Sequence, residues 1–384
     1  MSNVLSFFQT YKKELKTIFL FFIATRIIFA LMLNIGYYYL PKGDDIYNNV
    51  HNSLDIIFQF NDASNYIRIA KDGYNGSLYA FGPLYPTMIK LLSPIFLGSY
   101  EWSAFTISNI SFIIVILLLF YYLIRYIGKT ASMYATIALI MFPASHYNSV
   151  AYTESLFFLT ILISIISYRN KDYMISAIFC GLSILTRING IALLAAYGLD
   201  MLVNYIKQKN YNIKSTSELL KNGISFLIVV IAIYGLWLVY MYAKTGNALY
   251  FLEAQRTTWS RETPNLIAII KTIIKLITRI FKYPALRTTL EFLCPITMLI
   301  FSIFSVKKVP IYFSFYSIFT IIMPLTTNNV DSLTRYSMLV LSAYAFIGIK
   351  SEKNKVFRII WFLISLILFV IFTGTMGQLR ATFM

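Results

Sequence analysis

FNDASNYIRIAKDGYNGSLYAFGPLYP, from Phe60 to Pro86, is a polar stretch rich in Asn, Asp, Gly and Tyr. The chain around it is mostly Ile, Leu and Phe. Immediately before it, residues 17–40 form an apolar run long enough to cross a bilayer core of about 30 Å. The run is too long for the apolar region of a signal peptide and lacks a small-residue cleavage site, so it reads as a retained helix. A long polar loop after a first membrane span, with Asp62 set among aromatics, is the feature that decides the architecture.

The remaining composition supports a membrane protein. Of 384 residues, 58% are hydrophobic and 13% charged, against roughly 25% charged in soluble domains. Mean hydropathy is +0.67. Further apolar runs fall at 103–126, 131–147, 150–168, 172–186, 188–206, 222–243, 286–305, 310–326, 333–349 and 356–375, which predicts an all-α polytopic protein of about 11 transmembrane helices. The strict alternation of a transmembrane barrel is missing. Residues 82–98 are interrupted by Pro83, Pro86, Lys90 and Pro94 and read as an interfacial or re-entrant part of a first outer loop, 41–102. Residues 265–282 carry Lys271, Lys275, Arg279 and Lys282 on one helical face and Ile and Leu on the other, the pattern of an interfacial amphipathic helix. Its basic face is suited to anionic headgroups. No internal repeat or soluble domain interrupts the chain, which reads as one integral membrane domain, 1–384.

The net charge of +17 fits cytoplasmic loops that collect Lys and Arg beside anionic lipid, and no nucleic-acid-reading module accompanies it. Lys12, Lys13 and Lys16 precede the first helix and place the N-terminus in the cytoplasm. The polar clusters at 41–102, 143–155, 185–190, 244–265 and 326–336 then share the opposite, outer face. Cys180 and Cys294 lie in apolar runs, with no disulfide framework or thiolate metal set. No phosphate-binding Gly-rich loop is present.

Each cluster admits a structural and a chemical reading. Asp62 suits a helix N-cap or a general base that takes a proton from an acceptor hydroxyl. Asp44 and Asp45 suit a solvated turn or a divalent cation. Arg187, Arg256, Arg261 and Arg335 suit snorkelling helix ends or anion recognition through the guanidinium fork. Glu154 serves as a partner for His146 or an arginine, or as a substrate contact. His146 has no second His at ligand spacing, which argues against zinc. Gln255 and Trp259, four apart, suit an amide beside an aromatic platform for a sugar ring, or an interfacial Trp belt.

The ordered series FNDASNYIRIAKDGY, FGPLYP, YTESLFF, LTRINGI, GNALYFLEAQRTTW and DSLTRY, over roughly residues 60–340, resembles the GPI mannosyltransferase II (PIG-V) family and its prokaryotic relatives. The family usually has Trp before the first-loop Asp, where this chain has Asn61. The resemblance implies a GT-C-like fold and an inverting transfer of mannose from a dolichyl- or polyprenyl-phosphate mannose to a lipid-linked or surface glycan. Asp62 is then the base, and Arg187, Arg256 and Arg335 hold the donor phosphate. Glu154, Gln255, Trp259, Asn189 and Tyr66 line the sugar or acceptor pocket, and no metal is assigned. The Ile-, Asn- and Lys-heavy usage points to a prokaryotic cell membrane. A transporter or flippase of lipid-linked glycans is the alternative, as is a GT-C enzyme with another sugar or a protein acceptor. Polar groups at helix ends on one face, rather than near the midplane, favour the transferase.

Overall fold

The computed structural model describes residues 2–41, 50–209, 213–259, 261–262, 264–282, 285–328 and 331–378. Asp44 and Asp45 lie outside the described residues. Every apolar run noted above is helical over most of its length. Among the described residues, six helices are long and apolar enough to cross a membrane: Lys12–Tyr39, Tyr100–Ile127, Ile188–Ile206, Leu220–Thr245, Leu286–Ser305 and Lys355–Gly377. The bent pair Pro143–Ser149 and Glu154–Arg169 makes a seventh if counted as one span. The chain is therefore a multi-pass membrane protein. The other runs form shorter helices, among them Lys129–Ile140, Tyr173–Thr186, Ile311–Leu325 and Leu341–Lys353.

Two of the runs break at points that matter for the site. The 131–147 run leaves its α-helix at Ile140 and continues as a 3-10 turn over Pro143–Ser149. Pro143 restricts Phe142 to an extended backbone (ψ 141°), which ends a helix. The turn then meets the Glu154–Arg169 helix at 96°. Irregular backbone at membrane depth must be covered by protein, and all seven residues of the turn are buried. Arg26, from the first long helix, donates to Ser149 Oγ and to the Asn148 carbonyl and pins the turn. The 333–349 run likewise divides, into a short Leu333–Met338 helix outside the candidate spans and the Leu341–Lys353 helix.

Packing is side by side. Leu341–Lys353 lies on Lys129–Ile140, Glu154–Arg169 on Tyr173–Thr186 and Tyr100–Ile127, and Lys355–Gly377 on Lys12–Tyr39. The last pair touches backbone to backbone: a Cβ at Gly36 would sit 2.2 Å from the Gly374 carbonyl oxygen. Small residues allow such an approach where apolar burial alone gives no gain over lipid. The Leu266–Lys282 helix packs through Ala268, Thr272 and Leu276 and leaves Ile267, Ile270, Ile274 and Phe281 exposed. Part of its basic stripe turns to protein, since Arg279 pairs with Asp331 at 2.8 Å and Lys275 reaches the Asn328 carbonyl at 3.3 Å.

Candidate active site

The first loop folds into short helices, Ser53–Gln59, Asp62–Asp72 and Leu84–Leu92. Asn61, not Asp62, is the N-cap of the second; its φ of 47° is unusual for a residue with a side chain. Asp62 occupies the first helical position, where the helix dipole favours a negative charge. Its backbone N–H donates to the Tyr152 hydroxyl at 3.1 Å. Tyr66, one turn on, is buried, with its hydroxyl 3.3 Å from Thr153 Oγ1 and its ring edge-on to Phe81 and Tyr85. Burial pushes the Tyr66 hydroxyl well above its usual titration range, with Asp62 adding to the rise, so it stays protonated. These contacts lay the loop against the 150–154 segment.

Above that junction opens a cavity of about 460 Å³. All five polar stretches singled out from the sequence reach it: Asp62 and Tyr66, Tyr147, Arg187 and Asn189, Gln255 and Trp259, and Arg335 with Tyr336 all contribute to its lining. Asp62 is the accessible acid, its side chain 23% exposed, and its Oδ2 accepts from Arg335 Nη1 at 3.1 Å. Glu154 does not line the cavity. It is fully buried beneath it, where Oε1 accepts from Arg187 Nη1 at 2.6 Å and from Arg335 Nε. Burial works against the Arg335 charge, but Glu154 and Asp62 outweigh it and hold the guanidinium firmly protonated. Its plane also lies over Tyr147 and Tyr152, at 5.0 and 4.8 Å.

The opposite wall comes from Gln255, Trp259 and Arg261. Gln255 Nε2 donates to the Ala80 carbonyl at 3.0 Å, and Trp259 meets Phe81 edge-on at 5.2 Å. Gly82 presses on the end of the Tyr173–Thr186 helix, where a Cβ would come within 2.3 Å of the Leu185 carbonyl oxygen. Arg256 is exposed on the outside of the Tyr250–Trp259 helix and does not line the cavity. Arg261, two residues past the helix end, does. Its Nη2 donates to the Tyr336 hydroxyl at 3.1 Å, and its buried Nε has no hydrogen-bond partner. Burial would raise the Tyr336 hydroxyl, but Arg261, Arg187 and Arg335 outweigh it and bring it down to about 8. The backbone that carries Arg335 and Tyr336 is fixed from below by Glu291, which accepts from the Ser332 and Thr334 N–H groups at 3.1 and 2.8 Å. Sequence patterning singled out neither Glu291 nor Tyr336, because each acts through contacts made only on folding. Among the described residues, no three His, Cys, Asp or Glu side chains gather as a metal set.

No family model matches the chain, and no curated protein matches it in sequence. Solved structures do. The oligosaccharyltransferase of Archaeoglobus fulgidus in complex with Zn and sulfate aligns with TM-score 0.50 and 12% identity, over 92% of this chain and 53% of that one. ArnT from Cupriavidus metallidurans bound to undecaprenyl phosphate gives TM-score 0.48 and 15% identity over 87% and 60%. The Archaeoglobus fulgidus oligosaccharyltransferase AglB with an inhibitory peptide and a dolichol-phosphate gives 0.49 and 11% over 97% and 56%. The chain thus spans little more than half the length of these proteins. The first alignment identifies the architecture: this is a multi-pass, all-helical protein with the fold of the GT-C glycosyltransferases. Identities this low speak to fold alone.

Proposed function

We propose that the chain is an inverting glycosyltransferase of the PIG-V type, moving mannose from a dolichyl- or polyprenyl-phosphate mannose to a lipid-linked or surface glycan at the non-cytoplasmic face of a prokaryotic membrane. The observation that carries this reading is the cavity that sets one accessible carboxylate, Asp62, in contact with an arginine cluster. A sugar hydroxyl is a poor nucleophile, and a carboxylate within hydrogen-bond reach takes its proton as it attacks the anomeric carbon. The attack comes from the face opposite the phosphate, so the configuration inverts. The departing phosphate needs its charge stabilised and requires no general acid, and cationic donors fixed in place meet that need.

The arginines divide the work unevenly. Arg187 and Arg335 are already paired with Glu154, whereas Arg261 bonds a neutral hydroxyl and keeps a buried N–H to offer. Arg261 therefore takes the donor phosphate first, with Arg335 turning to it from Asp62. That exchange frees the Asp62 carboxylate for the acceptor hydroxyl. Trp259 and Asn189, both lining the cavity, supply an aromatic platform and an amide for the sugar. Tyr66 and Gln255 mainly seat the first loop, through Thr153 and Ala80.

The test compares membranes holding matched amounts of wild-type protein and Asp62→Asn, supplied with labelled polyprenyl-phosphate mannose and host lipid and glycan extract. Label leaves the donor in the wild type and stays in the variant. Equal transfer by both would remove Asp62 from the chemistry. Absence of transfer with mannose but release from another polyprenyl-phosphate sugar would change the donor and keep the site.

A further inference from the structure

Glu154 and Arg169 stand at opposite ends of one 16-residue helix, roughly 22 Å apart at about 1.5 Å per residue. A second cavity, of about 210 Å³, opens at the Arg169 end, lined among others by Tyr168, Tyr173, Tyr312, Asp200, Arg169 and Lys171. It lies a full helix length from the arginine cluster and shares no residue with it.

The chemistry of this cavity is divided. Its inner part is a carboxylate among tyrosines. Asp200 is only 8% exposed, and its Oδ2 accepts from the Tyr168 hydroxyl at 2.8 Å and from Asn204 at 3.2 Å. Tyr168 stacks on Tyr197 at 4.1 Å and meets Tyr312 and Tyr173 edge-on at 5.0 and 5.6 Å. A nearly buried carboxylate held by neutral hydroxyl and amide donors is suited to an ammonium group. The lining also carries two cations, Arg169 and Lys171. Arg169 lies over the rings of Tyr121 and Tyr122, and among the described residues neither Arg169 nor Lys171 has a carboxylate at ion-pair distance. Arginine beside lysine suits phosphate oxygens. An ammonium and a phosphate on one small ligand make an aminoalkyl phosphate.

We propose that this cavity binds the zwitterionic headgroup of an aminophospholipid, with its ammonium at Asp200 among the tyrosines and its phosphate between Arg169 and Lys171. A lipid fits better than a free aminoalkyl phosphate because the helices carrying Tyr173 and Asp200 also expose Met174, Ile175, Leu202 and Ile206, apolar surface suited to acyl chains. The site does not depend on the transferase reading, and the lipid it holds belongs to the leaflet away from the arginine cluster.

Native mass spectrometry of the purified full chain tests it, after incubation with equimolar phosphatidylethanolamine and phosphatidylglycerol. Wild type retains the ethanolamine lipid several-fold over the glycerol lipid, and Asp200→Asn loses that preference, because Asn still accepts from Tyr168 but carries no charge. Equal retention of the two lipids by wild type, or an unchanged preference in Asp200→Asn, overturns the proposal. Saturable binding of soluble O-phosphoethanolamine with no lipid retained would overturn the lipid assignment in favour of a free ligand. Should Asp200→Asn fail to fold, Lys171→Gln, at an exposed position, decides: lower retention of the ethanolamine lipid supports the site, and undiminished retention overturns it.

Discussion

Arg335 is shared between two carboxylates of unequal exposure: Nη1 donates to Asp62 Oδ2 at 3.1 Å, and Nε donates to the fully buried Glu154. Arg187 donates to the same Glu154 oxygen at 2.6 Å. Glu154 is therefore the counter-charge that lets two arginines line the cavity, while the Asp62 bond is the one an incoming anion replaces. Removing Glu154 leaves two buried cations without it. Such a loss costs about 3–5 kcal/mol, so Glu154→Gln is expected to lower the thermal midpoint of the solubilised protein markedly, and Asp62→Asn much less. Equal shifts in the two variants, followed by intrinsic fluorescence or a thiol-reactive dye, would deny Glu154 this role.

Asp62 should show the opposite profile, large in rate and small in stability. Loss of a general base costs about 10²–10⁴ in rate, and Asp62→Asn is expected to fall in that range with its thermal midpoint nearly intact. Asp62→Glu keeps the carboxylate but lengthens its reach, so it should retain part of the activity. Initial rates of label transfer at saturating donor measure both. A fully active Asp62→Asn would place the base elsewhere.

Arg261 and Arg256 give a paired contrast only five residues apart. Arg261 reaches the cavity and Arg256 does not. Loss of a hydrogen bond to a charged group costs about 1.5–3 kcal/mol. Arg261→Gln should therefore raise the donor KM by roughly 10–100-fold, with Arg256→Gln close to wild type. The reverse ranking would put the phosphate outside the cavity.

Tyr336 makes donor binding pH-dependent. Burial opposes its ionisation, but Arg261, Arg187 and Arg335 bring it down to about 8 from an ordinary 10. Above pH 8 the tyrosinate competes for the arginines that the phosphate needs. An anion bound there pushes the Tyr336 hydroxyl back up, so binding takes up a proton and weakens as pH rises through 8, by at most about tenfold per pH unit. Without donor the sign reverses. A group depressed on folding adds stability that is complete above its unfolded value near 10 and lost as pH falls through 8. Donor titrations between pH 6.5 and 9.5 should show the alkaline loss in wild type and a flatter profile in Tyr336→Phe.

The helices were legible because apolar runs of spanning length have few alternatives, and the boundaries of the Leu286–Ser305 helix match the hydropathy run. The polar stretches also converge on one cavity, as clusters at helix ends on a common face imply. Hydropathy located the polar 143–155 cluster but not the end of the α-helix before it at Ile140, which follows from Pro143 and from the buried turn that Arg26 holds at Asn148 and Ser149, and it ran straight through the break at 339–340. Read from sequence, Arg256 takes the donor phosphate and Arg261 is left out, for a related reason. The helix stops at Trp259, so one arginine stays on its outer face and the other turns inward, and helix ends are the feature that sequence patterning locates least well. Glu154 was recognisable as a costly interfacial charge, but its partners sit 33 and 181 residues away.

Gly82 tests whether the first loop must sit as closely as it does. A Cβ there would lie 2.3 Å from the Leu185 carbonyl oxygen and 2.5 Å from that of Thr186, both backbone atoms at the end of the helix that leads into Arg187. Neither side has a flexible group to yield, so Gly82→Ala must move the loop outward. Overpacking of this kind costs about 1–3 kcal/mol. The displacement also carries the Ala80 carbonyl away from Gln255 and Phe81 away from Trp259, contacts that define the far wall. Gly82→Ala is therefore expected to lose most of its transfer rate and to expose the 60–86 segment to proteolysis. Gly198→Ala, where a Cβ meets open space, should match wild type in both assays. If Gly82→Ala behaves like Gly198→Ala, the loop has room to spare, and Asp62 is not held in place by its packing on Leu185 and Thr186.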